Sequence, residues 1–230
     1  MNKVDLGRRA EIGRERRART RGQLVRAARI LLASRPIASV TVEDVTELAG
    51  MSKGAFYSHF RGLEDLWSAV AAEVAESFHD VARADRYSVV DPVEGIAAGC
   101  AAFINEARRD PDWGMLIANG LWVFPTVALA ARERLKDILQ RARRPDRLAS
   151  LSEEVGFDLV AGAVIQGMRS ASEAKLSPAD VTDLIQGILR ALGVRAKDAE
   201  ASVRRAQKAD AAMRAAGSAP TKIPIPTERP

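Results

Sequence analysis

Apolar residues recur along the chain at the spacing of α-helices, and prolines separate one helical stretch from the next. A first helix before Pro36 has an apolar face formed by Leu24, Ala28, Leu31 and Leu32. No stretch alternates between apolar and polar residues as a half-buried strand would, so we predict no strands. The pattern predicts an all-α fold of about nine helices, three in a small N-terminal head and about six in a larger body.

Residues 41 to 66 carry the most specific local signals of the chain. Thr41 and Asp44 form a helix-start box, in which the hydroxyl caps the first amides and the acid lies near the positive helix end. Val42, Val45 and Leu48 follow at helical spacing and predict the inner face of a short helix.

A glycine turn separates this helix from a second short one. Gly50 can adopt the left-handed backbone that a tight turn between helices requires. Ser52 caps the second helix, whose Phe56 points inward. The residues free to face outward are Lys53, Gly54, Tyr57 and Ser58. Two short helices joined in this way predict a helix-turn-helix, whose second helix can enter a DNA major groove.

The segment resembles the helix-turn-helix of the TetR family, the tetracycline-repressor-like regulators. The residues that match the family's pattern are Thr41, Val45, Ala49 to Ser52, Gly54, Phe56, Tyr57, His59, Phe60 and Glu64 to Leu66. Members usually carry Ser or Asn and then Lys where this chain has Gly62 and Leu63, and that Lys commonly meets a phosphate. Arg61 could replace it here. The resemblance is sharp over roughly residues 20 to 70 and architectural beyond them.

The resemblance implies a homodimer that reads palindromic double-stranded DNA through two copies of the head. It implies phosphate contacts by Tyr57 and His59, whereas Lys53 could donate to guanine or to a phosphate. Gly54 would let the backbone approach the bases, and capping alone would fully explain Thr41 and Ser52. The predicted DNA-binding residues are Thr41, Ser52, Lys53, Gly54, Tyr57, Ser58, His59 and Arg61.

Two helices near the end of the body carry extensive apolar surface. Residues 155 to 168 are apolar nearly all round, and a continuous apolar stripe runs from Val181 to Leu192. Both helices could bury this surface inside their own monomer. The resemblance implies instead that they pair with a second copy as a four-helix bundle. The predicted dimer-interface residues are Val155, Leu159, Gly162, Ile165, Val181, Leu184, Ile185, Ile188, Leu189 and Leu192.

The resemblance also implies a small-molecule pocket in the body, whose occupation releases DNA. Aromatic and other apolar residues between positions 103 and 124 suit such a pocket, although residues of this kind more often build an ordinary core. We predict an apolar or amphipathic, partly aromatic effector. The predicted pocket residues are Phe103, Trp113, Met115, Asn119, Trp122, Phe124, Gln166 and Arg169.

Positive charge is concentrated at the two ends of the chain. Residues 1 to 21 hold eight Arg or Lys against three acids, and the last 36 residues hold eight against four. A basic arm beside a DNA-reading head favours phosphate contact, although it also suits a solvated arm. We predict a basic flexible arm at 1–21, a helix-turn-helix domain at 22–66, a helical regulatory and dimerisation domain at 67–194, and a basic helical extension with a disordered tail at 195–230.

The residue inventory argues against an enzyme, a metal site and a membrane protein. His59 and His79 are the only histidines, and the sequence has neither a metal-ligand spacing nor a phosphate-binding glycine loop. No apolar run reaches the roughly 18 residues needed to cross a bilayer. The single cysteine, Cys100, fits a buried thiol in a reducing cytoplasm. We predict no catalytic residues, no metal and no cofactor.

Together these patterns predict a cytoplasmic, ligand-responsive transcriptional repressor whose partners are operator DNA, a small-molecule effector and a second copy of the chain. An activator or a ligand-independent DNA-binding protein of the same fold is the alternative.

Overall fold

The computed structural model describes residues 3–84, 91–120, 124–143, 148 and 151–215 of the 230-residue chain. Within these ranges the secondary structure consists of ten α-helices and one short 3₁₀ turn, without strands, so the all-α prediction is confirmed. The helices are α1 (Lys3–Ser34), α2 (Val42–Leu48), α3 (Lys53–Tyr57), α4 (Leu63–Ala84), α5 (Pro92–Arg109), α6 (Pro111–Gly120), α7 (Pro125–Ala142), α8 (Glu153–Ser172), α9 (Pro178–Ala191) and α10 (Ala196–Ala215).

The chain divides into two compact units, Met1–Glu73 and Val74–Pro230, which we call the head and the body. The division falls inside α4, whereas the sequence places the domain boundary between residues 66 and 67. A helix that continues through the boundary leaves no change in composition for a sequence pattern to detect.

The two short helices of the head begin where their capping residues predict. Thr41 Oγ1 accepts a hydrogen bond from the amide of Asp44 at 3.2 Å, and the amide of Thr41 donates to Asp44 Oδ2 at 2.8 Å. Ser52 Oγ accepts from the amide of Ala55 at 3.2 Å. Between the helices, Gly50 adopts a φ of 65°, the left-handed conformation that favours glycine.

One residue of α2 lies on a different face from the one predicted. Leu48 is 44% exposed, and Thr46 is buried in its place beside the fully buried Val45. Helical spacing alone does not separate the two positions, because at 100° per residue Thr46 lies about 70° and Leu48 about 90° from the mean direction of Val42 and Val45. Thr46 can be buried because its hydroxyl donates to the Glu43 carbonyl at 3.0 Å.

The basic segment predicted as a flexible arm is helical from Lys3 onward and continues directly into the core helix α1. Most of its residues are good helix formers, and extending an existing helix avoids the cost of nucleation. Two side chains tie its end to the rest of the head. Arg17 Nη2 donates to the Ser58 carbonyl at 3.2 Å, and the guanidinium of Arg21 lies 4.9 Å from the centre of the Phe60 ring.

The body is built around α5, which packs against each of the other helices α6 to α10. It begins at Pro92 behind the capping residue Asp91, whose Oδ1 accepts a hydrogen bond from the amide of Val93 at 2.9 Å. Close packing here depends on glycine at one position. A Cβ on Gly114 of α6 would lie 2.6 Å from Ala107 Cβ and 2.3 Å from Ser172 Oγ, so these helices approach too closely for any side chain there.

The apolar stripe of α9 lies in the core of the body, which corrects its assignment to a dimer interface. Five of the predicted interface residues, Val181, Ile185, Ile188, Leu189 and Leu192, are at most 4% exposed. They are covered because α9 packs against α5, α8 and α10. Helix α10 supplies part of this cover with an apolar face of its own, formed by Ala199, Val203 and Ala206. The predicted disordered tail after α10 lies outside the described residues.

Candidate functional site

The outward face of α3 presents the polar residues that the sequence predicts for DNA contact. Lys53, Gly54, Tyr57 and Ser58 are all exposed, whereas Phe56 is fully buried beneath them. The ring of Tyr57 is 58% exposed and lies edge-on against Phe56, with 5.3 Å between ring centres. A buried aromatic ring therefore fixes the helix that carries the exposed residues.

Lys53 forms an ion pair with an acid of the preceding helix. Its ammonium donates to Glu43 Oε1, and the two side chains are 58% and 59% exposed. The hydrogen bond from Lys53 lowers the pKa of Glu43, and the same contact raises the pKa of Lys53. Both groups are therefore charged near neutral pH. Sequence patterns did not single out Glu43, because a first-turn acid is common at helix starts.

The hydroxyl of Thr41 is already engaged within the head. It donates to Asp44 Oδ2 at 2.7 Å while it accepts from the Asp44 amide. Arg35 Nη2 forms a salt bridge with the same carboxylate oxygen at 2.8 Å. Hydrogen bonds from Arg35 and Thr41 lower the pKa of Asp44 from 3.8 to about 2. This arrangement fixes the start of α2, as the hydroxyl of Ser52 does for α3.

Basic side chains surround the end of α3. The Ser58 carbonyl accepts from Arg17, and its hydroxyl donates to the Ala55 carbonyl at 2.7 Å. Burial, followed by the charges of Arg17 and Arg21, lowers the pKa of His59 below its usual 6.5. The imidazole is therefore neutral at pH 7 and can donate a hydrogen bond from one nitrogen.

Arg61 lies two residues before Leu63, which takes the place of the lysine expected at the start of α4. Its amide donates to Asp65 Oδ2 at 3.1 Å, and the residue is exposed. Leu63 is half-buried. The predicted DNA-binding residues thus run from the start of α2 to just before α4, and Arg17 of α1 contacts this segment at Ser58.

The body contains a cavity of about 100 Å³ between α4, α5, α6, α7 and α8, and this cavity is partly open to solvent. Its aromatic walls are Phe78, Phe103 and Phe157, and the rings of Phe78 and Phe103 lie 4.8 Å apart. The remaining lining is apolar apart from Arg134 of α7. Such a cavity favours an apolar occupant of about the size of one aromatic ring.

Models of known protein families match both units. The model described as "Bacterial regulatory proteins, tetR family" matches residues 24–70, and that described as "Tetracyclin repressor-like, C-terminal domain" matches residues 91–205, which is half of the chain. The chain belongs to the TetR family of bacterial regulatory proteins. Membership places it among DNA-binding transcription regulators rather than enzymes, as predicted.

Individual members of the TetR family resemble the chain over its N-terminal part. The HTH-type transcriptional regulator TtgR of Pseudomonas putida is 35% identical over 81 residues, which are 35% of this chain and 39% of that protein. The probable HTH-type transcriptional regulator ArpR of Pseudomonas putida is 35% identical over 71 residues, 31% of this chain and 34% of the relative. The matches span less than half the length of either relative.

Solved TetR-family structures share the fold over most of the chain. RolR in complex with its ligand resorcinol is 23% identical with a TM-score of 0.57, and the match covers 82% of this chain and 95% of that one. CprB from S. coelicolor A3(2) is 19% identical with a TM-score of 0.63, and the match covers 85% and 98% of the two chains. At these identities the likeness concerns the fold alone.

Of the eight residues predicted to line a pocket in this TetR-family chain, Phe103 lines the cavity. Trp113 is buried behind it, with its ring 6.2 Å from that of Phe103. Arg169 Nη2 donates to Asn119 Oδ1 at 2.8 Å, so these two polar groups bind each other away from the cavity. The structure places three more elsewhere: Met115 is half-buried, Phe124 is buried and Gln166 is exposed. Trp122 lies outside the described residues.

Most of the cavity lining was not predicted from sequence. Ile165, assigned to the dimer interface, is at the wall, as are Ile96, Cys100 and Met168. Cys100 is buried, as expected of a structural thiol. One signal could have located the cavity: Gly95 and Gly99 stand one helical turn apart on α5, where absent side chains leave space beside Phe103.

Among the described residues, no three His, Cys, Asp or Glu side chains come together as they would to hold a metal ion. Over the same parts of the chain, none of the helices combines the length and the apolar character needed to cross a bilayer.

Proposed function

We propose that the chain is a transcriptional repressor that binds a palindromic operator as a homodimer and releases it when a small apolar or amphipathic effector enters the body. The observation that carries the DNA-binding part is the exposed face of α3, which stands on the buried Phe56 beside Arg17 and Arg61. We place the protein in the cytoplasm, where operator DNA is accessible.

The test is selection of bound duplexes from a random-sequence pool by the purified protein at physiological salt. Recovery of a palindrome with half-sites about one helical turn apart would support a two-fold reader. Recovery of no shared motif from ligand-free, refolded protein would contradict the proposal.

Two variants separate the proposed roles on this surface. Tyr57→Ala should weaken binding to every duplex by a similar factor, because a phosphate contact carries no sequence information. Lys53→Ala should relax the preference at one base pair. Titrations with matched and mismatched duplexes measure both effects, and a sequence-selective loss from Tyr57→Ala would overturn its assignment.

The basic half of α1 adds phosphate contacts in this proposal. Arg8, Arg14, Arg16 and Arg19 are exposed, and the contact of Arg17 with Ser58 holds their helix against the segment that carries α3. Each phosphate neutralised by this helix would add about 0.9 to the salt dependence of binding.

The dimer contact is proposed for the outer face of α8. Val155 and Leu159 are 46% and 39% exposed, and Gly162 one turn further is open, with nothing within 4 Å of an added Cβ. Large exposed apolar side chains in register with an open glycine suit a close helix-to-helix contact. Residues of α9 that face away from the core, such as Asp183 and Gly187, would complete it.

The cavity supports an effector the size of a single ring. Its volume of about 100 Å³ and apolar walls suit a neutral or weakly polar ring compound. RolR, of the same fold, binds the single-ring compound resorcinol. Ring compounds should release operator DNA in a mobility-shift assay, and Ala131→Phe, which fills the cavity from α7, should abolish the response while DNA binding persists.

The small volume also favours the alternative, a DNA-binding protein of this fold that is not switched by a ligand. Operator binding that persists with every single-ring compound and with metabolite extracts would support it. An activator would be distinguished by raised transcription from a promoter that carries the selected operator.

A further inference from the structure

The ion pair between Glu43 and Lys53 lies on the surface proposed to face DNA. Glu43 is the second residue of α2 and Lys53 the first residue of α3, so the contact joins the two helices of the helix-turn-helix. Both side chains are more than half exposed. A pair with this exposure contributes little to stability.

The start of α2 has no need of Glu43 as a cap. Asp44 supplies the capping carboxylate, and it is held by Thr41 and Arg35. The carboxylate of Glu43 is directed to Lys53, and a second, smaller interaction with its own backbone amide also lowers its pKa.

A carboxylate on a DNA-facing surface has two effects on binding. It repels phosphates and offsets the charge of Lys53, which lowers affinity for DNA of any sequence. In the major groove it can accept a hydrogen bond from the amino group of cytosine, whereas guanine and thymine present acceptors that repel it. Lys53 complements it because an ammonium donates to guanine O6 and N7.

We propose that Glu43 is a specificity-determining residue: with Lys53 it forms an acceptor–donor pair that reads G·C base pairs in the operator and weakens binding to other DNA. The inference rests on the proposed function, since it requires that α3 enter the major groove. Its consequence is that removing the negative charge should strengthen binding to DNA in general while it reduces discrimination.

The experiment compares wild type with Glu43→Gln and with Glu76→Gln, a control that removes one exposed negative charge from α4, outside the head. Affinities are measured for the selected operator, for operators with each base pair changed, and for an unrelated duplex, at several salt concentrations.

Glu43→Gln should bind the unrelated duplex about threefold or more tightly, with a salt slope larger by about 0.9, because Lys53 is released to a phosphate. The ratio of operator to unrelated affinity should fall by about 5- to 100-fold. The mismatch penalty should fall at one or two G·C positions and stay constant elsewhere.

A double variant tests whether the two residues act together. In a Lys53→Gln background, Glu43→Gln should alter discrimination much less than in wild type, because the pair is already broken. Equal changes for operator and unrelated DNA, or a Glu43→Gln profile that matches Glu76→Gln, would overturn the inference while the selected palindrome stands. If wild type selects no palindrome, the proposed function itself fails, which is a separate outcome. Circular dichroism melting confirms that each variant is folded.

Discussion

At the scale of single residues, Gly54 is a glycine that the packing of the free protein does not require but that the proposed contact with DNA does require. An added Cβ would come no closer than 3.8 Å to Ser52 Oγ, so packing does not require glycine. Gly54→Ala should therefore raise the free energy of unfolding by up to about 1 kcal/mol, because alanine favours the helix. It should nevertheless weaken operator binding at least about tenfold, since a methyl group would hold the backbone away from the bases.

Denaturant unfolding and DNA titration together test this prediction. Gly22→Ala is the matched control, because Gly22 is another helical glycine whose added Cβ would meet no close neighbour, with nothing within 4 Å of it. It should gain similar stability with operator affinity unchanged. Unchanged DNA binding by Gly54→Ala would show that this glycine is merely tolerated.

His59 makes the stability of the head depend on pH. Burial and the nearby charges of Arg17 and Arg21 lower its pKa in the folded protein, whereas the unfolded chain keeps a value near 6.5. The unfolded state therefore binds the proton first as pH falls, so the contribution of His59 to stability is present above pH 6.5 and is lost below it. Urea unfolding between pH 5 and 8 should show this slope, and His59→Gln should reduce it. An identical slope in the variant would assign it to other groups.

At the scale of helices, sequence patterns predict where a helix begins but not which other helices it packs against. A cap depends on a few neighbouring residues, so Thr41 and Ser52 located two helix starts from sequence alone. The stripe from Val181 to Leu192 predicts only that one face of α9 is buried. Whether it is buried against a second copy or against α5 and α10 depends on residues far away in the chain, and the structure shows the latter.

The residues that line the cavity are even harder to predict from local sequence than the packing partners of a helix. Its walls come from five helices, and only the small residues Gly95 and Gly99 hint locally at empty space. Aromatic residues between 103 and 124 were grouped because they are close in sequence. In the folded body Trp113 packs behind Phe103, and Asn119 turns to Arg169.

The close approach of α6 to its neighbours gives a prediction about packing. Gly114→Ala would place a methyl group against Ala107 and Ser172, and the Ala107 backbone is only 2.8 Å from the added atom. Helices must separate to admit it, which should lower the free energy of unfolding by about 1–3 kcal/mol. Thermal unfolding measures the change, and Gly13→Ala in the open part of α1 should have no such cost. Stability equal to wild type would mean that the body repacks freely.

At the scale of the whole molecule, the exposed leucines of α7 and α8 test the proposed dimer. Leu159→Glu introduces a charge into the α8 face and should convert the dimer to monomers, because a carboxylate buried without a partner is strongly unfavourable. Light scattering gives the mass, and operator affinity should fall together with it. Leu129→Glu is the control, since Leu129 is 60% exposed on α7 outside the proposed contact. Monomeric wild type, or a dimeric Leu159→Glu protein, would contradict the α8 contact.

The rate at which Cys100 is chemically labelled can report on access to the interior of the body. Cys100 is the only cysteine of the chain. It is 3% exposed, and it lines the cavity. An alkylating reagent reaches it through the partly open cavity, so the rate of labelling reports how freely the cavity admits small molecules. Any compound that occupies the cavity should slow that rate in proportion to its occupancy, without a fluorophore, an engineered site or knowledge of the operator.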